Sequence, residues 1–330
     1  MMFYLVIACA LITAYINGMH DGGTIVATCV TSRILKPRTA VVLSGIFNLF
    51  GALFLGTSVA YTVGGSLIET ARITAEGSDY ACRFVISVFA ASLVWNLITW
   101  FIRLPSSASL SLIGSLIGCM LAACGPAAVH WETFLIRVVA AMLISPVIGF
   151  IAGFLLLKLE TTLLRNATME WSGRVKTLNL LATILLSLSY GSNDSQKIVG
   201  VCIIAVAAGS ADVTIPFWLI LVCGGALAVG TMTGGYNMIG TVGRGIVKMD
   251  IDKSLSSQLS AMLVTEFANL TGLPISSTQV LTGAIIGSGA ESTPRSVHWG
   301  IIRNILMAWV LTLPAAAAAG YAVYKVMILF

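Results

Sequence analysis

The residues best suited to chemistry form one short polar motif, Tyr190-Gly191-Ser192-Asn193-Asp194-Ser195-Gln196-Lys197, inside an otherwise apolar segment. A charge at bilayer depth is costly, so it persists mainly where it lines a cavity or meets a partner. The glycine and small polar residues predict that the membrane helix unwinds here, because unwound backbone is tolerated around such a cavity. The N–H groups of the helix that restarts, together with the charge of Lys197, favour an anion. The motif therefore predicts half of a solute site; the alternative is an extramembrane loop between two short helices.

A similar motif, residues 17–24, interrupts the first apolar segment and contains His20 and Asp21. Asp21 and Asp194 take equivalent places in the two motifs, so we expect them to approach each other near the membrane midplane. Oxygen ligands suit a hard cation such as sodium, and proton binding is the alternative form of coupling; helix-break caps are the purely structural alternative. His20 is a candidate pH-sensitive group because it adjoins a carboxylate. The candidate cation ligands are Asp21, Asn193, Asp194 and Glu266.

Hydroxyl groups cluster in two further segments, residues 104–109 and 273–279, each of which joins two apolar legs through a Leu-Pro pair. Tetrahedral oxyanions need many convergent donors of little bulk, and serine beside a helix N-terminus supplies them. Helix capping is the alternative for each serine, and Lys197 could instead be the counter-ion of Asp194. The candidate anion ligands are Ser106, Ser107, Ser109, Ser192, Gln196, Lys197, Ser276, Ser277, Thr278 and Gln279.

The composition places these motifs in a membrane. The chain has 330 residues, of which 58% are hydrophobic and only 9% charged, with a mean hydropathy of +0.97. Apolar runs long enough to span a bilayer recur from end to end and leave no room for a sizeable soluble domain. The net charge of +5 is then information about topology and gives no reason to expect a nucleic-acid partner. We predict an all-α polytopic membrane protein.

The order of segments repeats itself. Each half has a polar-interrupted span, a second span, a hairpin with a Pro-Ser tip and a last span, and the two tips align without gaps so that Gly114 matches Gly283 and Gly118 matches Gly287. We predict a first inverted repeat over residues 1–158, a cytoplasmic linker over 159–176 and a second inverted repeat over 177–330, each repeat containing a broken helix and a re-entrant helical hairpin.

The Lys and Arg residues agree with inversion. Re-entrant hairpins leave an odd number of crossings in each half, and the basic segments at residues 33–38, 158–176 and 244–253 then fall on one side, which the positive-inside rule makes cytoplasmic. Hairpins that cross fully would give the same sides. We expect a multi-pass protein of the cell (plasma) membrane with both termini extracellular.

Both halves resemble the inorganic phosphate transporter family, most specifically at residues 191–197 and at Gly272-Leu273-Pro274-Ile275-Ser276-Ser277-Thr278. The resemblance covers nearly the whole chain and implies cation-coupled uptake of inorganic phosphate, with sulfate in some members, and a homodimer. The first half departs from the family pattern at His20 and Thr24, where asparagine is usual. Ala108 and Ser109 replace Thr-His in the first tip, and Gln279 replaces histidine in the second.

We therefore interpret the chain as a secondary active transporter for inorganic phosphate, coupled to sodium or protons, with the anion held between the two tips and the two polar motifs. No catalysis and no cofactor beyond the coupling ion are expected. A sulfate permease of the same fold is the nearest alternative, because sulfate differs from monohydrogen phosphate mainly in having no proton to donate. A membrane lipid-phosphate phosphatase is the alternative of another class, but the spans lack the carboxylate or histidine cluster with arginine that such chemistry needs.

Overall fold

This computed structural model describes residues 2–101, 106–165, 171–209, 214–234, 239–240 and 245–329, and these are almost entirely helical. Within these described residues, five helices are long and apolar enough to cross a membrane, which confirms the predicted all-α polytopic architecture. Leu104 and Pro105 of the first tip lie outside the described residues. The helices are α1 Met2–Thr31, α2 Pro37–Phe54, α3 Ser58–Tyr61, α4 Thr70–Thr74, α5 Ser78–Phe101, α6 Ala108–Cys124, α7 Trp131–Leu163, α8 Trp171–Ala207, α9 Phe217–Thr233, α10 Ile251–Thr271, α11 Ser277–Ser292 and α12 Trp299–Met327.

Short irregular helices join or interrupt these elements. A π-helix, Thr62–Ser66, follows α3, and π-helical turns at Phe134–Ala140 lie inside α7. Single 3₁₀ turns at Pro126–Ala128 and Pro294–Ser296 precede α7 and α12.

Helices α1 and α8 run without interruption through the two polar motifs, so the predicted unwinding of these helices is wrong. The glycines of the motifs serve close packing instead. A Cβ at Gly18 would collide with the carbonyl oxygen of Leu227 in α9, and a Cβ at Gly191 would collide with the backbone of Asn48 in α2. Glycine is required where two helix backbones touch, and it permits this contact while the helix stays intact.

The two halves of the chain are interleaved. Helix α1 packs on α9 and α2 on α8, while each hairpin's second helix packs on the last helix of the other half, α6 on α12 and α11 on α7. The glycines matched in the sequence form these last contacts: Gly118 lies against the backbone of Ala317 in α12, and Gly287 lies against that of Phe150 in α7. The halves are therefore not separate folding units.

The same local structure occurs before α7 and before α12. After the 3₁₀ turns that begin at Pro126 and Pro294, the indole N–H of a tryptophan donates to the carbonyl of that proline, at 2.9 Å for Trp131 and 3.3 Å for Trp299. In both places a histidine precedes the tryptophan, and its backbone N–H donates to a carbonyl of an earlier segment. The internal repeat is therefore visible in local hydrogen bonding as well as in helix order.

The connection between the halves is shorter than residues 159–176. Helix α7 continues to Leu163 and α8 begins at Trp171, so helices enter the predicted linker from both sides. Residues 166–170 lie outside the described part of the chain.

Candidate ion-binding site

Lys197 of α8 is the point at which both hairpin tips contact this helix. Its Nζ donates to Asp194 Oδ1 at 2.5 Å, to Ser109 Oγ of the first tip at 2.7 Å and to the carbonyl oxygen of Ile275 in the second tip at 2.6 Å. Ser109 Oγ also donates to Asp194 Oδ1, at 2.9 Å. An ammonium group has three N–H donors, and here each of them is directed at a protein acceptor.

The two tips also contact each other. Ser107 Oγ donates to Ser276 Oγ at 2.9 Å, and Ser276 Oγ lies 3.0 Å from Thr278 Oγ1. Ser107 and Ser276 are the N-cap residues of α6 and α11. The N-terminal N–H groups of a helix lack intrahelical partners and carry partial positive charge, so two helix N-termini face each other beside Lys197. Ser277 Oγ is buried and has no hydrogen-bond partner among the described residues.

The cluster contains two carboxyl groups and one lysine ammonium group. Asp21 and Asp194 are 2% and 3% exposed, and the charges of Asp194 and Lys197 act on Asp21. Lys197 forms its ion pair with Asp194, whereas Asp21 contacts His20, whose Nδ1 lies 2.9 Å from Asp21 Oδ1. The histidine is thus in contact with the carboxylate that has no lysine partner in the described part of the chain.

Each polar motif is joined to the hairpin leg of its own half by a pair of asparagines. Asn193 Nδ2 donates to Asn269 Oδ1 in α10 at 2.7 Å, and Asn96 Nδ2 in α5 donates to Asn17 Oδ1 at 3.2 Å. Asn193 Oδ1 is buried with no partner in the described part of the chain. Its unpaired acceptor makes Asn193 available as a cation ligand.

Glu266, in the same hairpin leg, belongs to this network. Its Oε2 accepts from Ser189 Oγ at 2.8 Å and from Asn269 Nδ2 at 3.2 Å. Asn269 Nδ2 also donates to the carbonyl oxygen of Ser189. The predicted cation residues Asn193 and Glu266 are therefore linked through Asn269.

Four of the predicted anion ligands do not take part in the contacts between Lys197 and the tips. Gln196 accepts from the N–H of Val59 at the start of α3 and donates to Ser192 Oγ, so Gln196 joins α3 to the polar motif of α8. Ser106 donates to Thr99 Oγ1 in its own hairpin leg. Gln279 lines an apolar cavity beside α7 and α12, and neither of its amide atoms has a hydrogen-bond partner among the described residues.

Sequence reasoning missed two contributors to the cluster. The carbonyl oxygen of Ile275 accepts from Lys197, and no side-chain pattern signals a backbone acceptor. The second is Asn96, which pairs with Asn17. An amide side chain in an apolar hairpin leg, as at Asn269, is the sequence feature that indicates such a contact. The residues that the structure brings together are Asp21, His20, Asp194, Lys197, Ser107, Ser109, Ser276 and Thr278.

Comparison with known proteins finds the phosphate transporter family over nearly the whole chain. A sequence model described as the phosphate transporter family matches residues 17–175 and again residues 164–320. A probable low-affinity inorganic phosphate transporter of Rhizobium meliloti (strain 1021) is 33% identical, over 94% of this chain and 92% of its own length. A protein of the same description from Bacillus subtilis (strain 168) is 32% identical, over 98% of this chain and 96% of its own length.

A more distant relative and a solved structure extend the comparison. A putative phosphate permease of Pyrococcus furiosus is 23% identical over 96% of this chain and 94% of its own length. A solved structure described as the sodium-dependent phosphate transporter superimposes with a TM-score of 0.90 at 23% identity, over 100% of this chain and 99% of that one. The arrangement of helices is therefore shared with a protein of known structure.

Proposed function

This chain belongs to the phosphate transporter family, and we propose that it moves inorganic phosphate across the cell membrane by secondary active transport, coupled to a gradient of sodium ions or protons. The observation that carries the proposal is the meeting of both hairpin tips at the Asp194–Lys197 pair, with Asp21 in electrostatic range. Hydroxyl groups and two helix N-termini converge there, which is what a small tetrahedral anion requires.

The charge of this cluster supplies a reason for coupling. With His20 neutral, the carboxylates outnumber the ammonium group, so a phosphate dianion placed there would be repelled. A cation bound by oxygens of Asp21, Asn193, Asp194 or Glu266, or a proton on a carboxylate or on His20, would remove that repulsion and favour the anion. The two affinities are then linked, because the factor by which the bound cation raises the affinity for the anion equals the factor by which the bound anion raises the affinity for the cation.

Lys197 suggests which parts move together. Since its ammonium group is bonded to both tips and to Asp194, we infer that α8 and the tips move as one body past the surrounding helices. In this proposal the anion ligands are Ser107, Ser109, Ser276, Ser277 and Thr278, and Lys197 mainly orders them. Ser106, Ser192 and Gln196 are not included because their hydrogen bonds lie away from the meeting point of the tips. Gln279 is not included because it lines the apolar cavity beside α7 and α12.

We further propose the inverted arrangement of the two repeats, with extracellular termini and a homodimeric assembly. The orientation draws on the Lys and Arg asymmetry of the connecting segments and on the repeated local structure before α7 and α12, and the homodimer is what the family resemblance implies. Sulfate remains the rival substrate. Monohydrogen phosphate can donate its proton to a carboxylate such as Asp21, whereas sulfate cannot, so a direct carboxylate contact favours phosphate.

Uptake of radiolabelled phosphate and sulfate into proteoliposomes tests this function, with sodium and proton gradients imposed separately. We expect phosphate to accumulate inside the vesicles above its equilibrium level under one of the two gradients. The accumulated phosphate should leave when an ionophore collapses that gradient. Equal accumulation of sulfate would reassign the substrate. Release of phosphate from a lipid phosphate by the same preparation, without gradient-driven uptake, would reassign the protein to the phosphatases.

A further inference from the structure

Three buried oxygen atoms of α8 and α10 have no hydrogen-bond partner among the described residues. They are Tyr190 Oη and Asn193 Oδ1 of α8 and Thr265 Oγ1 of α10. All three residues are 0% exposed. Buried polar groups are normally paired, because leaving one unpaired costs free energy. Three such atoms on two adjacent helices indicate a ligand site.

The hydrogen bonds along these two helices place Tyr190 opposite Thr265. Thr183 of α8 donates to Gln258 Oε1 of α10 at 2.6 Å. Tyr190 follows Thr183 by seven residues, and Thr265 follows Gln258 by the same number, which is two helical turns along the same face. The pair of asparagines that joins the two helices comes one turn later on both of them. The two hydroxyl groups therefore face each other across the contact between α8 and α10.

The first half of the chain supports this placement. Asn17 takes the position of Tyr190 relative to the aspartate of its motif, and Asn96 takes the position of Thr265 relative to the Leu-Pro pair of its tip. These two asparagines are in direct contact, with 3.2 Å between Asn96 Nδ2 and Asn17 Oδ1. The two hydroxyls at the equivalent positions are able to bond each other but do not. Both are therefore free for a third group.

The chemistry of these oxygens favours a cation over an anion. Asn193 Nδ2 is taken by Asn269, so the unpaired atom of this amide is its carbonyl oxygen, which accepts or coordinates but does not donate. The charges of Asp194 and Asp21 both act on the hydroxyl of Tyr190, and each carboxylate attracts a cation when it is ionised. Neutral oxygens close to carboxylates suit a small hard cation such as sodium. A water molecule would satisfy the same atoms, so binding of sodium itself is the deciding measurement.

We propose that Tyr190, Asn193 and Thr265 bind a sodium ion between α8 and α10. The ligands are the two hydroxyl oxygens and the amide oxygen, which Asn269 holds in place by accepting from Nδ2. The asparagines at the equivalent place of the first half bond each other, so the site belongs to the second repeat. The inference rests on the proposed function only where it makes this sodium ion the coupling ion.

Binding of radioactive sodium to the purified protein, without phosphate and at constant ionic strength in choline chloride, tests the site directly. We expect saturable binding. Tyr190→Phe and Thr265→Val each remove one hydroxyl with little change of shape, and each should raise the Kd for sodium at least fivefold. The matched control is Thr312→Val, which removes a buried hydroxyl that donates to the carbonyl oxygen of Ala308 in α12. It should leave the Kd unchanged.

Thermal unfolding separates ion binding from a structural role of the hydroxyls. Since Tyr190 Oη and Thr265 Oγ1 have no partner among the described residues, their removal should leave the unfolding temperature in choline unchanged. Sodium should raise the unfolding temperature of the wild-type protein, because a ligand of the folded state stabilises it, and should raise it less in Tyr190→Phe and Thr265→Val. An equal fall of the unfolding temperature in choline and in sodium would show that the hydroxyls hold structure and bind no ion.

Two further results would overturn the proposal. One is the absence of saturable sodium binding in the wild-type protein, and the other is an unchanged Kd for sodium in either Tyr190→Phe or Thr265→Val. Phosphate uptake driven by a proton gradient would then still support the proposed function. Conversely, sodium binding that both variants weaken, in a protein that takes up no phosphate, would support the sodium site and overturn the proposed function.

Discussion

Lys197 has two possible roles, and its contacts separate them. A lysine that binds the transported anion needs a free N–H, but its ammonium group donates to Asp194, Ser109 and the carbonyl of Ile275. The side chain is only 1% exposed, and a buried charge without a partner is strongly unfavourable. We therefore interpret Lys197 as the residue that holds both tips to α8 and balances Asp194.

A double-mutant cycle tests this interpretation. Asp194→Asn and Lys197→Met each leave one buried charge unpaired, so each should destabilise the protein by about 3–5 kcal/mol. The double variant removes both charges and should lose clearly less than the sum of the single losses. Thermal unfolding in detergent, followed by fluorescence, measures the three variants, and gradient-driven uptake should be absent from all of them. If the losses of stability in the two single variants add up to the loss in the double variant, Asp194 and Lys197 do not stabilise each other and the interpretation is wrong.

Ser277 and Ser107 should respond differently to alanine. Ser277 Oγ makes no hydrogen bond among the described residues, so Ser277→Ala should leave the unfolding temperature unchanged while weakening phosphate binding by about 1–3 kcal/mol if the hydroxyl contacts the anion. Ser107 caps α6 and donates to Ser276, so Ser107→Ala should also destabilise the protein by about 1 kcal/mol. Calorimetric titration with phosphate, paired with thermal unfolding, checks both. Unchanged phosphate affinity in Ser277→Ala would remove this serine from the site.

Lys197 pairs with Asp194, whereas the ion-pair partner of Asp21 among the described residues is His20, which gives Asp21 a separate test. Asp21→Asn should make phosphate affinity nearly independent of the coupling cation, because the repulsion that the cation relieves is gone. The wild-type protein should show at least a tenfold gain in phosphate affinity on adding the coupling cation, and the variant less than a twofold gain. Phosphate binding measured with and without sodium, at two pH values, distinguishes sodium from protons. A variant with the full wild-type gain would place the coupling ion elsewhere.

At the scale of helices, glycine positions decide how closely the halves approach. A Cβ at Gly287 would collide with the carbonyl oxygen of Phe150, whereas a Cβ at Gly225, in the interior of α9, would meet nothing within 4 Å. Gly287→Ala should therefore destabilise the protein by about 1–3 kcal/mol through overpacking. The matched control Gly225→Ala should stabilise it by about 0.5–1 kcal/mol, because alanine is the better helix former. Thermal unfolding of the two variants gives the comparison, and similar losses in both would contradict the close α7–α11 contact.

The same glycines explain what could be predicted from the sequence and what could not. The pairing of Gly114 with Gly283 and of Gly118 with Gly287 indicated a repeat, and both pairs lie at interhelical contacts. The polar motifs predict unwinding at Gly18 and Gly191, yet these glycines lie where α9 and α2 cross intact helices. A glycine in a polar motif is compatible with an unwound helix and with close packing of two intact helices. The position of the neighbouring helix distinguishes the two, and the sequence does not give that position. The hydroxyl groups of the two tips can be recognised in the sequence as candidates for contact. The carbonyl oxygen of Ile275 cannot, because every residue has such an oxygen.

At the scale of the whole molecule, interleaving makes one site from two distant segments. The two hairpins each pack on the last helix of the other half, and this exchange brings Ser107 to within 2.9 Å of Ser276. Tips carried by halves of opposite orientation would reach the midplane from opposite sides of the membrane. In the proposed inverted arrangement, access to the shared site therefore depends on the opposite orientation of the two halves.

The repeated structure before α7 and α12 provides a matched pair of positions for that test. Glu132 and Gly300 directly follow Trp131 and Trp299, both are exposed, and a Cβ at Gly300 would meet nothing within 4 Å. The chain's own partly exposed cysteines, Cys9 and Cys124, would first be replaced by alanine. We expect Glu132→Cys to react with a membrane-impermeant maleimide only from the extracellular side, and Gly300→Cys only from the cytoplasmic side.

These sides are expected because the distribution of basic residues predicts that residues 158–176 and 244–253 are cytoplasmic. The segments before α7 and α12 are equivalent in the two repeats and should therefore lie on opposite sides. Lys176→Cys, exposed at the start of α8, is the control for the cytoplasmic side. Labelling is measured in intact cells and in inverted vesicles, so each position is tested from both sides. If Glu132→Cys and Gly300→Cys are labelled from the same side, the halves are parallel, the two tips cannot approach from opposite faces, and the proposed mechanism of access to the shared site is wrong.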